Sequence, residues 1–275
     1  MIVQIFPLII SAFLNLFSGY TGISSHAGSQ SYSFQWETNK EMKVGEDITY
    51  LVRYGFIELG EIRLKIVSRK EIGGKFQYNT IAYIDSYSGI PFVNLHQIYE
   101  SKVNNAYFSD FFRGTVKKTE YTTFTEYYFD YKNDKVKVRK GKVSPYQLWT
   151  DSTGIAETMF QDGLSIFYFA RMYTGQKRSV SVPCLVNEKK VFTKINFYNK
   201  VDRIELPAAG YDVACVRLDG STDFISVFGL TGYFEGWFSN DKAAIPIIAK
   251  LNVIIGRVTV ELIKWKRDGW KPPRA

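Results

Sequence analysis

Histidine is the side chain most often used for proton transfer and metal binding near neutral pH, and this chain has two, His26 and His96. His26 falls in an N-terminal segment read below as a leader, so His96 would stand alone in the exported chain. A lone histidine completes no Ser-His-Asp or Cys-His arrangement, and no Gly-x-Ser-x-Gly elbow presents a serine nucleophile. Metal spacing is missing as well: there is no Cys-x-x-Cys, no His-Glu-x-x-His and no calcium loop. His96 therefore reads as a structural or surface residue, and the chain as a non-enzyme needing neither metal nor cofactor. Paired carboxylates call for separate treatment, because glycosidase acids can come from distant strands and leave no local signature. Glu100, Glu120, Glu126, Asp130 and Glu235 lie among aromatic residues. Each reads first as a solvent-facing strand residue. Gly229-Leu230-Thr231-Gly232 lacks the lysine of a phosphate loop and the spacing of a dinucleotide loop, so it reads as a turn.

Rings and cations remain. Tyr121, Tyr127, Phe129, Tyr131 and Trp237 could stack on sugar faces or line an acyl cavity, since each offers a large apolar area and some a polar edge; core packing is the plainer use. Lys132, Lys135, Lys137, Arg139, Lys140 and Lys142 form one basic stretch, of which Lys135, Lys137, Arg139 and Lys140 are the expected patch, and a second runs from Lys264 to Arg274. With a net charge of +8 the expected partners are anionic envelope lipids or acidic glycans rather than nucleic acid, the alternative being a solvated hairpin and a solvated tail.

The elements that must position these residues are mostly strands. Ile48, Tyr50, Val52, Tyr54 and Phe56 recur at a period of two, and Ile62, Leu64 and Ile66 alternate with Glu61, Arg63 and Lys65, which predicts a hairpin. Gly73-Gly74 turns the chain into a strand over Phe76 to Ile84. Glu120 to Tyr131 is a long ring-rich strand that turns at Asn133-Asp134 and returns through Lys135 to Arg139. One helix is predicted from Gly163 to about Met172, capped by Asp162 and apolar nearly all round, hence buried against the sheet. Strands follow over Ser179–Leu185, Lys190–Asn199, Val201–Leu206, Tyr211–Leu218, Tyr233–Phe238, Ile245–Leu251 and Val253–Trp265.

The first 27 residues carry no Lys, Arg, Asp or Glu, and the apolar run from Ile2 to Phe17 reads as a secretory signal with cleavage after Ala27. The expected organisation is a signal peptide over 1–27, a polar leader over 28–44, one antiparallel β domain over 45–265 and a basic tail over 266–275. Cys184 and Cys215 could bridge in an oxidising compartment, but each sits in a strand-like context where a free thiol behaves as a small buried hydrophobe.

Taken in order, Gly45-Glu46-Asp47-Ile48-Thr49-Tyr50, Tyr54-Gly55-Phe56-Ile57 and Gly60-Glu61 resemble the opening hairpin of an exported bacterial family, domain of unknown function 3108. Asp162-Gly163-Leu164-Ser165 with Phe167 to Arg171 resembles its central helix. Tyr211 to Cys215, Trp237 to Asp241 and Ile245-Pro246-Ile247 resemble its C-terminal strands, so the likeness spans about residues 45 to 263. The resemblance implies a long antiparallel sheet rolled into an open or partial barrel, periplasmic or envelope-associated, with no assigned reaction. Two functions are then open: a carrier whose curved sheet holds a lipid or glycolipid-like molecule, or an assembly factor docking onto other envelope proteins through strand edges. The charge on the Arg257, Thr259 and Glu261 face and on the Lys135 to Arg139 strand argues against an integral membrane barrel.

Overall fold

The computed structural model describes residues 38–275 apart from 91–92, 223, 225–229 and 255, so the expected signal peptide and most of the polar leader lie outside the described residues. The described residues form one compact unit. Within it the strands are β1 (Asp47–Tyr54), β2 (Ile57–Ile72), β3 (Lys75–Ser86), β4 (His96–Asn104), β5 (Ser109–Lys117), β6 (Thr122–Asp130), β7 (Lys135–Lys142) and β8 (Gln147–Ile155). A helix, α1 (Ser165–Met172), follows. The chain then returns through β9 (Arg178–Val186), β10 (Lys189–Leu206), β11 (Tyr211–Thr222), β12 (Leu230–Ser239), β13 (Pro246–Val253) and β14 (Gly256–Lys266).

All 14 strands belong to one antiparallel sheet in the order β8-β7-β6-β5-β4-β3-β2-β1-β14-β13-β12-β11-β10-β9. Every sequential pair but one is a hairpin neighbour. The exception is the β8-α1-β9 connection, and the two halves are joined where β1 pairs with β14, with Ile48 opposite Trp265 and Val52 opposite Val260. The sheet therefore has two ends to its strand order, β8 and β9, and does not close.

One core cluster explains the curvature. It contains Ile66 of β2, Tyr99 of β4, Tyr127 of β6, Val138 of β7, Val182 of β9, Ile195 of β10 and Phe238 of β12, together with Leu164, Phe169 and Met172 from the helical segment. Strands near opposite ends of the order can meet only if the sheet rolls around α1. Leu164, Phe169 and Met172 are fully buried, each contributing roughly 1.5–3 kcal/mol by removal of its apolar surface from water. The two flanks also touch directly: the Glu188 amide donates to the Tyr127 hydroxyl at 3.2 Å, and Lys140 Nζ lies 3.1 Å from Glu188 Oε1. Past β8, Gln161 makes a parallel bridge to Cys184, with Gln161 N donating to Pro183 O and Leu185 N to Gln161 O.

Several sequence expectations shift. β4, β5 and β8 have no counterpart among the predicted strands. The two strands expected over 190–206 are one, β10, with a register shift between Phe197 and Val201. Leu230 and Thr231 enter β12 rather than turning, and Ile254 sits in the turn before β14 rather than on its apolar face. The basic tail is packed: Ala214 N donates to Pro273 O, the Tyr211 hydroxyl to Pro272 O, and Trp270 Nε1 to Asp241 Oδ2 at 2.7 Å. Cys184 and Cys215 are both free and buried.

Candidate functional site

Antiparallel hairpins place alternate turns at opposite ends of a sheet, and here the two ends differ in chemistry. At one end α1 forms a plug. Asp162 Oδ1 accepts the amides of Leu164 and Ser165 at 2.6 and 2.7 Å, and Ser165 Oγ accepts the Asp162 amide at 2.8 Å, a reciprocal pair that starts the helix. Its other oxygen accepts from Ser101 Oγ of β4 at 2.6 Å. Burial pushes the Asp162 carboxyl above its usual range, against the hydrogen bonds that favour its charged form.

The last turn of α1 carries Arg171. Its guanidinium makes a two-pronged ion pair with Glu46 at 2.6 and 2.7 Å and donates from Nε to Ala243 O at 2.7 Å. Arg267 adds a third arm, Nη1 to Glu46 Oε2 at 2.7 Å, and reaches Glu41 at 2.8 Å. Tyr50 is wholly buried beside this network, and its hydroxyl finds no hydrogen-bond partner among the described residues. The chain before β1, the helix, the β12–β13 turn and the chain after β14 are thus tied together at one end.

The other end holds the tips of β1–β2, β3–β4, β5–β6, β7–β8, β9–β10 and β13–β14, with the facing ends of β11 and β12. Phe234 packs against the core but remains half-buried, as does Val260, so the apolar wall is not sealed at this end as it is around α1. This end also carries exposed tips, including Phe56 at 94% exposure.

The five predicted ligand rings are not gathered on one surface. Tyr127, Phe129 and Tyr131 share the core-facing side at β6: Tyr127 stacks on Phe112 at 5.5 Å, and Phe129 stacks on Tyr131 at 5.4 Å and Phe160 at 6.3 Å. The Tyr131 hydroxyl donates to Ser109 O at 2.5 Å and accepts from the Phe160 amide at 3.2 Å. Tyr121 lies in the β5–β6 turn under Lys142 and Lys118, 4.7 and 5.8 Å from its ring centre. Trp237 is half-buried on β12, donates to Asp202 Oδ2 at 3.1 Å and lies under Lys250.

The predicted basic patch is largely matched by acids. Lys137 pairs with Asp151 at 3.0 Å, Arg139 with Glu126 at 3.2 Å, and Lys140 with Glu188, whereas Lys135 is exposed at the strand end. Glu126 corrects an expectation: it is buried rather than solvent-facing, because Arg113 and Arg139 flank it from the neighbouring strands. Those three, with Phe124, Val143 and Tyr146, line an outer-face groove of about 220 Å³. Glu235 is likewise held by Arg257 and Arg217, and Asp130 accepts from the Asn133 side chain at 2.7 Å. His96 is exposed, with Nδ1 2.9 Å from Asp85 Oδ1. Among the described residues no group of three or more His, Cys, Asp or Glu could hold a metal ion, and no helix is long and apolar enough to cross a membrane.

A family described as protein of unknown function, DUF3108, matches residues 49–263. No curated protein matches the chain. Among solved structures, a β-barrel-like protein of domain of unknown function DUF1849 from Brucella abortus superposes with a TM-score of 0.49 at 11% identity, covering 82% of this chain and 98% of that one. A protein from Bacteroides fragilis described as exported, with a YmcC-like fold, gives 0.38 at 8% identity over 84% and 99% of the two chains. A protein from Parabacteroides distasonis described as a lipoprotein gives 0.36 at 10% identity over 83% and 98%.

Proposed function

Since the chain belongs to the DUF3108 family, a family of unknown function, we propose that it is an exported, non-catalytic envelope protein. In this reading it holds an apolar or glycolipid-like molecule against the unsealed inner wall at its hairpin end. The observation that carries the reading is the contrast between the ends. One is plugged by α1 and a buried ion-pair network; at the other, Val260 and Phe234 keep apolar surface open next to exposed apolar tips. Ligand sites are mostly apolar walls with few polar groups, which is the composition here. The non-catalytic part is supported by how the acids are used: Glu126 is bound by arginines and Asp130 by a turn amide, and Glu235, opposite Asp219 on β11, shares Arg217 with it and is also bound by Arg257. Export is supported by the uncharged apolar run of Ile2 to Phe17.

The test is native mass spectrometry of the chain from Gly28 onward, purified gently from the periplasm, then organic extraction. A discrete bound lipid or glycolipid is expected. A clean unliganded mass, unchanged after incubation with envelope extract, would overturn the carrier reading.

One observation favours docking onto another envelope protein instead. β8 is exposed along nearly its whole length, is bonded on one side by β7, and presents Leu148 and Trp149. An open edge of that kind can accept a strand from a partner. Crosslinking from position 149 in the native cell distinguishes this route: capture of one defined protein supports it, and no adduct removes it.

A further inference from the structure

We propose that the hairpin end is a membrane-docking surface, with the β1–β2, β3–β4 and β13–β14 tips entering an anionic phospholipid bilayer while Lys117, Lys118 and Lys142 meet its phosphates. The three apolar tips are neighbours, since β4, β3, β2, β1, β14 and β13 are consecutive in the sheet. Two of them touch: a side chain built at Gly256 would come within 2.9 Å of the Tyr54 ring. Phe56 is 94% exposed, and Tyr54, Ile57, Tyr87, Leu95 and Ile254 are exposed as well. These tips set large apolar residues beside their turn glycines Gly55, Gly89 and Gly256, whereas the opposite end turns at Gly73-Gly74, Asn133-Asp134 and Asn240-Asp241. Exposed large apolar residues clustered on one end mark an interaction surface.

Charge selects the partner. Beside the apolar tips stand the β5–β6 and β7–β8 turns, where Lys142 and Lys118 lie over Tyr121 and Lys117 ends β5. None of these lysines has a carboxylate partner among the described residues, and Glu120 is the one acid in the turn. Lysine is depleted where proteins bury surface against each other, but it is favoured beside anionic headgroups, as tyrosine is at the headgroup level. Separate apolar tips also suit a fluid acyl boundary, which fills the gaps between them, better than a rigid partner. The net charge of +8 acts in the same direction. This docking does not depend on a bound ligand, so it stands or falls separately from the carrier reading.

The chain from Gly28 onward contains the whole compact unit and lacks the apolar run of Ile2 to Phe17, which could bind lipid by itself. It is mixed with vesicles of phosphatidylglycerol and phosphatidylethanolamine, or of phosphatidylcholine alone, and floated on a density gradient. Binding to the anionic vesicles and weak binding to phosphatidylcholine are expected, weakening in high salt by screening. Phe56→Asp with Ile254→Asp should lower partition by tenfold or more, and each of Lys117→Gln, Lys118→Gln and Lys142→Gln by about fivefold. Phe56→Ala, a milder change at an exposed tip, guards against misfolding and should give an intermediate loss. No binding to anionic vesicles, or binding indifferent to the tip substitutions, overturns the proposal. So does a self-association that the tip substitutions abolish without affecting flotation.

Discussion

Arg171 on the helix and Glu46, one residue before the first strand, are 125 residues apart in sequence and form a two-pronged ion pair with both side chains 3% exposed. A buried pair of this kind adds little net stability over a well-packed apolar pair, but losing one member leaves the other charged and unsolvated. Because Glu46 also binds Arg267 at 2.7 Å, the two members are not equivalent. Glu46→Gln strands the buried Arg171 guanidinium and leaves Arg267 with Glu41 alone, and should cost about 3–5 kcal/mol, whereas Arg171→Met leaves Glu46 with Arg267 and should cost less. Urea unfolding of the two variants measures the difference. Equal losses would mean that Arg267 does not share the carboxylate.

Asp162 should tolerate asparagine and not alanine. Asparagine keeps an oxygen for the Leu164 and Ser165 amides and a donor toward Ser101, while alanine leaves buried groups unpaired and should cost about 2 kcal/mol. The pH dependence has a definite sign. Burial raises the carboxyl pKa in the folded state, so the folded chain holds a proton that the unfolded chain has released. The stability contribution of Asp162 therefore falls as pH rises from the ordinary carboxylate pKa to the raised one. Asparagine does not titrate, so Asp162→Asn should gain on the wild type across that window. A difference flat in pH would contradict the raised value.

Both thiols should be silent in the folded protein. Burial pushes Cys184 and Cys215 up to about 12, so almost no thiolate exists at pH 8, and neither sulfur is reachable. A thiol reagent should label none in native buffer and both in guanidinium. Fast native labelling of one cysteine would show that its strand opens locally.

Trp149 should matter for association more than for folding. It lies on the outermost strand and is half exposed, so Trp149→Lys should change stability by no more than about 0.5 kcal/mol. A charge on an open edge also disfavours strand pairing between copies or with a partner. Light scattering after heating, together with thermal unfolding, separates the effects, and a large loss of stability would show that Trp149 packs more tightly than its exposure indicates.

Where apolar residues alternate strictly, the strands were legible. Ile48 to Tyr54 and Ile62 to Ile66 gave the first hairpin, although Phe56, read on the same strand face, stands in the turn, and the apolar segment around Leu164 and Phe169 gave the buried helix. β4 was hidden because Ser101 occupies an inward position to hold Asp162, which breaks the apolar alternation with a polar residue satisfied only in three dimensions. β8 was hidden for the opposite reason: with scarcely any buried face it has no pattern to read, and it is a strand because β7 offers its backbone groups.

The candidate site was less legible than the fold. Tyr127, Phe129 and Tyr131 were visible as a ring-rich face, but a ring's type does not say whether it meets a ligand or another ring, and here they meet Phe112 and Phe160. The cations of β7 were visible as a run, but not the acids Glu126, Asp151 and Glu188 that come to them from other hairpins. Sequence alone determined what depends on local spacing: the β class, the helix and its cap, and the family. Only the tertiary structure decided which end is plugged, which charges are neutralised and which tips stand together. Those depend on contacts between residues far apart in the chain, and such contacts exist only once the sheet has rolled around its helix.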